Sequence, residues 1–164
     1  MAELQQNLEG VSLLGNQNTK YKYEYDPSIL EKFENNHRDS DDIVSLDAFE
    51  FCSRCPKTGQ PDFATIHISY IADEYLVESK SLKLYLFSFQ QHGAFHETCV
   101  HQILQDLVSF LQPRYLEVYG DFNSRGGISI LPFAAYATEE FKDFKRQRQL
   151  AVMNTTMTHR PRTS

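Results

Sequence analysis

Six apolar residues, Val100, Ile103, Leu104, Leu107, Val108 and Leu111, recur at offsets 0, 3, 4, 7, 8 and 11. That spacing places them on one stripe of an α-helix, and Pro113 ends it because proline cannot continue the hydrogen-bond ladder. A stripe this long must bury itself against another layer, so it constrains everything around it. Between Ser79 and Gln91, Leu82, Tyr85, Leu86 and Phe89 repeat at offsets 0, 3, 4 and 7 and predict an earlier helix. The β-branched and aromatic stretch from Phe63 to Tyr70 predicts a strand in a sheet covered on both faces. Tyr115 to Phe122 alternates as a strand, Asn123 to Gly127 reads as a turn, and Gly127 to Tyr136 reads as the antiparallel partner. Strand, two helices and hairpin in that order predict an α+β domain, an antiparallel sheet with both helices on one face.

The 164 residues suffice for one domain with its own core. Residues 1–45 read as a polar, loosely packed arm with short strands, showing only short aromatic alternation around Tyr21, Tyr23 and Tyr25. Residues 46–140 form the core, and residues 141–164 form a C-terminal segment that is partly disordered, since its last fifteen or so residues lack periodicity. A net charge of −6 argues against a face that releases counterions from phosphate backbones or anionic lipid, so neither nucleic acid nor membrane is expected as a direct partner. No apolar run nears eighteen residues and MAELQQNLEG lacks an export signal, so the expected location is the cytoplasm. Three cysteines are too few and too odd in number for a disulfide scaffold, which leaves a thiol available for chemistry.

Cys55 falls in a turn-rich loop between two predicted strands, with Arg54 and Lys57 as cationic neighbours that would lower its pKa and favour the nucleophilic thiolate. Asp62, where the next strand begins, is placed to return as a proton carrier. Equally, Cys55 reads as a small buried hydrophobe and Asp62 as a turn cap. Cys52 and Cys55 form a C-x-x-C pair that would start a zinc site if His96, Cys99 or His101 completed it. In an extended segment, though, positions 52 and 55 point to opposite sides. His96 and Glu97 open the second helix, where a carboxylate serves as an ordinary N-terminal charge. Alternatively, Glu97 accepts two parallel hydrogen bonds from a guanine-like edge. Cys99 lies one turn beyond His96, so a pocket shared by His96 and Cys55 would bring two thiols within disulfide reach. No Gly-x-Gly-x-x-Gly follows a strand, so no Rossmann-type cofactor site is expected.

Four motifs belong together: CPKTGQPD from Cys55 to Asp62, ESKSLKLY from Glu78 to Tyr85, Phe95-His96-Glu97, and RGGIS from Arg125 to Ser129. With them the chain, from about Leu8 to Tyr136, resembles the NADPH-dependent 7-cyano-7-deazaguanine reductases, the QueF family, in its short single-module form. The resemblance implies a tunnelling fold (T-fold) whose subunits close into a barrel with active sites between neighbours, a homo-oligomer of two pentameric rings. It implies reduction of a deazaguanine nitrile to the primary amine in queuosine tRNA-modification biosynthesis. Cys55 would form a covalent thioimide, Asp62 would supply a proton, and two NADPH molecules would deliver successive hydrides. Val77, Glu78, Ser79, His96 and Glu97 match substrate-binding positions, and Ser79, Lys80, Lys83, Arg125 and Gly126 match positions associated with NADPH. No residue matches a metal ligand, and Cys52 matches no family requirement. Two alternatives stand beside this reading. One is a zinc-dependent cyclohydrolase-like enzyme of the same fold, with Cys55 as a metal ligand, and the other is a purine- or pterin-binding module without catalysis.

Overall fold

The apolar stripe that dominates the sequence becomes helix α2 (His96–Leu111), with Cys99, Val100, Ile103, Leu104, Leu107 and Leu111 buried. Each such side chain contributes roughly 1.5–3 kcal/mol by leaving water. The helix stops where Gln112 turns left-handed at φ 51° and its N–H closes on the Val108 carbonyl, one residue ahead of Pro113. The computed structural model describes residues 21–157. Before α2 come β1 (Lys32–Glu34), β2 (Ile43–Arg54), β3 (Pro61–Ile71), β4 (Tyr75–Val77) and α1 (Ser79–Phe87), the last extended by a 3-10 turn over Ser88–Gln91. After it come β5 (Tyr115–Phe122), β6 (Phe133–Ala137) and α3 (Lys142–Met157).

The main sheet has the order β2-β3-β5-β6, every pair antiparallel, and β1 pairs with β4 in a separate two-stranded ribbon. Leu82, Tyr85, Leu86 and Phe89 are buried as the spacing predicts, so α1 and α2 share the core on one face of the sheet. The approach of α2 to β5 is close enough to dictate a residue. A Cβ on Gly120 would sit 2.8 Å from Val100 Cγ2 and 2.8 Å from the Phe122 ring, so only glycine fits there.

Four expectations need correction. First, β3 is not covered on both faces: Ala64, Ile66, Ile68 and Tyr70 are buried while Phe63 is 52% exposed and His67 and Ser69 are half-buried. The alternation is that of an antiparallel strand with one face on the core. The other face is covered near Tyr115 and Glu117, where Phe144 meets Tyr115 edge-on at 4.9 Å and Arg148 grips Glu117 at 2.6 and 3.0 Å. Second, these contacts hold a regular helix, α3, that continues to Met157, into the last fifteen residues whose missing periodicity suggests disorder; residues 158–164 lie outside the described residues. Third, β6 starts at Phe133 rather than Gly127, because residues 123–132 leave the sheet before the chain returns. Fourth, the described part of the N-terminal arm is anchored rather than loose. The Tyr25 hydroxyl donates to Asp106 at 2.6 Å and its ring packs edge-on to Phe89 at 5.1 Å. Residues 1–20 lie outside the described residues.

Candidate active site

β2 ends at Arg54 and β3 begins at Pro61, leaving a six-residue loop that opens on Cys55. The loop is closed by two backbone bonds, Cys55 N–H to the Gln60 carbonyl and Gly59 N–H to the Cys55 carbonyl, both 2.9 Å. Gly59 takes φ +69°, a left-handed value suited to glycine. Cys55 is half-buried at the loop's start. Its pKa is lowered first by the Thr58 hydroxyl and then by the backbone N–H groups of Thr58 and Lys57, while some burial and the Asp62 charge oppose the shift. The thiolate is therefore favoured by hydrogen bonds, not by the Arg54 and Lys57 charges the sequence suggested. Arg54 directs its guanidinium instead to the Gln90 and Gly59 carbonyls.

The other two thiols differ. Burial pushes the Cys99 thiol up to about 11, partly offset by the Ser53 hydroxyl, and burial also raises Cys52. All three are free cysteines. Among the described residues, no three of His, Cys, Asp or Glu gather to hold a metal ion.

Asp62 is only 4% exposed, and it is not a turn cap. Its Oδ1 is ion-paired with His96 Nε2 at 3.0 Å and with Arg125 Nη2 at 2.6 Å. The His96 ring stacks on Phe122 at 4.1 Å with planes 13° apart, and its Nδ1 is buried with no hydrogen-bond partner among the described residues. In a neutral ring that carries its proton on Nε2, the nitrogen paired with Asp62, Nδ1 is a bare acceptor. Glu97 is exposed beside it in the first turn of α2 and, like Phe95, caps no backbone N–H through its side chain. Cys55, Asp62, His96, Glu97 and Arg125 thus meet at one end of the sheet. Thr58 and Phe122 belong to the group too. Thr58 lies inside the CPKTGQPD motif, but the target of its hydroxyl depends on the loop's shape; Phe122 carries no sequence signal beyond being a core strand residue.

The remaining expected site residues lie elsewhere in the chain. Val77 and Glu78 are buried, and the Glu78 carboxylate caps α1 by accepting from the N–H groups of Lys80 and Ser81 at 2.8 and 2.7 Å. Ser79 and Lys83 line a cavity of about 490 Å³ between α1 and β2, with Leu46, Phe49 and Phe87 among its apolar walls. Val77 donates its N–H to the Tyr70 hydroxyl at 3.2 Å, and its strand partner Lys32 reaches the Phe110 carbonyl at 2.8 Å. Asp62 and Tyr70 are about 26 Å apart along an extended strand. His96 and Phe110 are about 21 Å apart along a helix. One chain therefore holds the 77–79 segment far from its own Cys55.

Fold and thiol cluster together describe a small α+β protein that presents an ionisable cysteine beside a buried acid paired with two cationic-type side chains. A family model described as QueF-like protein matches residues 61–141. Over 151 residues the chain is 55% identical to the NADPH-dependent 7-cyano-7-deazaguanine reductases of Bacillus cytotoxicus and Bacillus mycoides, covering 92% of this chain and 91% of each relative. The crystal structure of the apo archaeosine synthase QueF-Like superposes with a TM-score of 0.56 at 19% identity, covering 60% of this chain and 97% of that one, a likeness of fold. The chain belongs to the family of NADPH-dependent 7-cyano-7-deazaguanine reductases.

Proposed function

We propose that this chain reduces the nitrile of 7-cyano-7-deazaguanine to the primary amine with NADPH as reductant, through a covalent thioimide on Cys55. The observation that carries this reading is a half-buried thiol of lowered pKa whose neighbouring carboxylate is held by both an imidazole and a guanidinium. With His96 and Arg125 both paired to its Oδ1, Asp62 serves as the proton carrier. It takes the Cys55 proton as the sulfur bonds to the nitrile carbon, and passes that proton to the nitrogen as the carbon–nitrogen π electrons move there. No outside proton is needed to reach the thioimide. NADPH, when bound, supplies the hydrides that carry the carbon on to the amine.

The base is read by α2: Glu97 accepts from the ring N–H and exocyclic amine side by side, and His96 Nδ1 stands free to accept another donor. The cofactor's chemistry fits the second group. Lys83 and Ser79 edge an apolar cavity, and Lys80 stands between them in sequence, so cations for phosphate adjoin surface for a ring. Val77 and Glu78 act by shaping the backbone there, since both side chains are buried. Gly126 shapes the turn that carries Arg125.

Because the 77–79 segment and Cys55 lie toward opposite ends of one chain, a complete site unites groups from two subunits. This supports an assembly with sites between neighbours, and the two rings of five of a T-fold are what the family resemblance implies for it. The part of the sheet face away from the helices that α3 leaves open, where Ile43 and Phe63 are 58% and 52% exposed, supplies surface for such contacts. Reduced thiols in such an enzyme suit the cytoplasm. The test is direct: the protein mixed with 7-cyano-7-deazaguanine should gain the mass of one substrate per chain, and Cys55→Ala should not. Loss of the reduced-nicotinamide absorbance on adding NADPH then reports turnover. A parent enzyme that gains no mass and oxidises no NADPH ends the proposal.

A further inference from the structure

Arg125 sits on the excursion between β5 and β6, and its placement is tightly specified. Gly126 and Gly127 take φ 56° and 79°, both left-handed, as a two-residue hairpin turn requires. Arg125 and Ile128 exchange backbone bonds of 2.9 and 3.0 Å across it. The excursion is tied to the sheet where Asn123 N–H meets the Phe63 carbonyl at 2.9 Å and Gly120 N–H meets the Pro132 carbonyl at 2.9 Å. From this frame the guanidinium reaches Asp62 Oδ1 at 2.6 Å and also the Pro61 carbonyl beside it. A side chain that only awaited cofactor phosphates would have no reason to be clasped to the acid.

We propose that Arg125 is a positioning residue for the thiol–acid pair in the free enzyme: it anchors the Asp62 carboxylate and balances the negative charge that Cys55 faces, keeping the thiol reactive before any cofactor arrives. This rests on the reading of Cys55 as nucleophile and Asp62 as its proton carrier. The titratable and charged groups around Asp62 come from every element that packs there. Cys52, Arg54 and Cys55 come from β2 and its loop, and His96, Glu97 and Cys99 come from α2. Arg125 comes from the excursion and, with His96, pairs directly with the carboxylate. Asp62 opposes ionisation of Cys55. An adjacent guanidinium offsets that opposition, because a cation beside the acid turns a net charge into a pair whose field falls off faster with distance.

The experiment is the pH dependence of Cys55 alkylation by iodoacetamide, without substrate or cofactor, with the modified cysteine identified by peptide mass. Arg125→Gln should move the midpoint upward and slow alkylation at pH 7 by about two- to threefold, with the high-pH plateau unchanged. Arg125→Lys keeps the cation and should recover much of the loss. In an Asp62→Asn background, Arg125→Gln should add a smaller shift, because without the carboxylate the guanidinium is no longer held in place. Because Arg125 stands 33% exposed on a surface turn, its replacement leaves the fold in place, which thermal melting checks. An Arg125→Gln profile identical to the parent overturns the proposal, as does a Lys variant no better than Gln, or a shift that persists undiminished beside Asp62→Asn. A residue that served only cofactor phosphates would raise the KM for NADPH and leave these cofactor-free profiles unmoved. If the parent forms no adduct with 7-cyano-7-deazaguanine, the functional reading fails separately, while the alkylation results still decide the role of Arg125.

Discussion

The loop from Cys55 to Gln60 and the first turns of α2 each bring a thiol into the field of Asp62, yet the two thiols are chemically opposite. Cys55 is half-buried, receives hydrogen bonds from Thr58 and Lys57, and has its pKa lowered. Cys99 has no exposed surface, its Sγ reaches the Ala94 carbonyl at 3.9 Å, and burial pushes it up to about 11. The same acid opposes ionisation of both. What separates them is donors and water: a loop of exposed N–H groups stabilises a thiolate, and a helix packed on a sheet penalises one.

The sharpest way to break this comparison is to remove the reactive member. Cys55→Ala should lower NADPH oxidation by at least about a thousandfold and abolish the substrate adduct, with the melting temperature nearly unchanged; steady-state kinetics and intact mass report both. Asp62→Asn keeps the shape but cannot carry the proton, so turnover should fall about a hundredfold or more, within the range of general acid–base catalysis. Turning to the inert member, Cys99→Ser should leave Cys55 alkylation unchanged in the folded protein. It should cost about 1–3 kcal/mol of stability, because a hydroxyl loses more than a thiol on burial; denaturant melts measure it.

The smallest effect tests the cause of the contrast. Thr58→Val removes the donor that most favours the charged sulfur, so the Cys55 midpoint should rise and alkylation at pH 7 should slow by about threefold. The sign follows from the folded pKa lying below the ordinary thiol value: the thiolate persists toward lower pH in the parent, and losing the donor narrows that window from below. An unchanged profile would assign the lowering to the backbone N–H groups alone.

A second contrast, between α2 and α3, shows why some elements were legible and others not. α2 buries a continuous apolar stripe, so its period is written in the residues that do the burying. α3 is held by Phe144 against Tyr115 and by Arg148 on Glu117, too few anchors for a readable period, and half of them ionic. The β5–β6 pair was legible except for where its second strand begins. Residues 123–132 contain strand-like apolar residues such as Ile128 and Ile130, but these project to solvent, 68% and 36% exposed.

The sequence by itself determined the two core helices, the β3 and β5 strands and the chemical kinds of residue at the site. Local spacing and side-chain type suffice for those, and the motifs that carry Cys55, Asp62, His96 and Arg125 can be read without coordinates. Only the tertiary structure decided which thiol is exposed and why Cys55 ionises, that Arg125 and His96 share one oxygen of Asp62, and that Val77 to Ser79 stand away from Cys55. Those facts depend on segments brought together by strand pairing and by α2 lying across the sheet. The free energy of such contacts comes from burial and long-range hydrogen bonding, which no local pattern encodes.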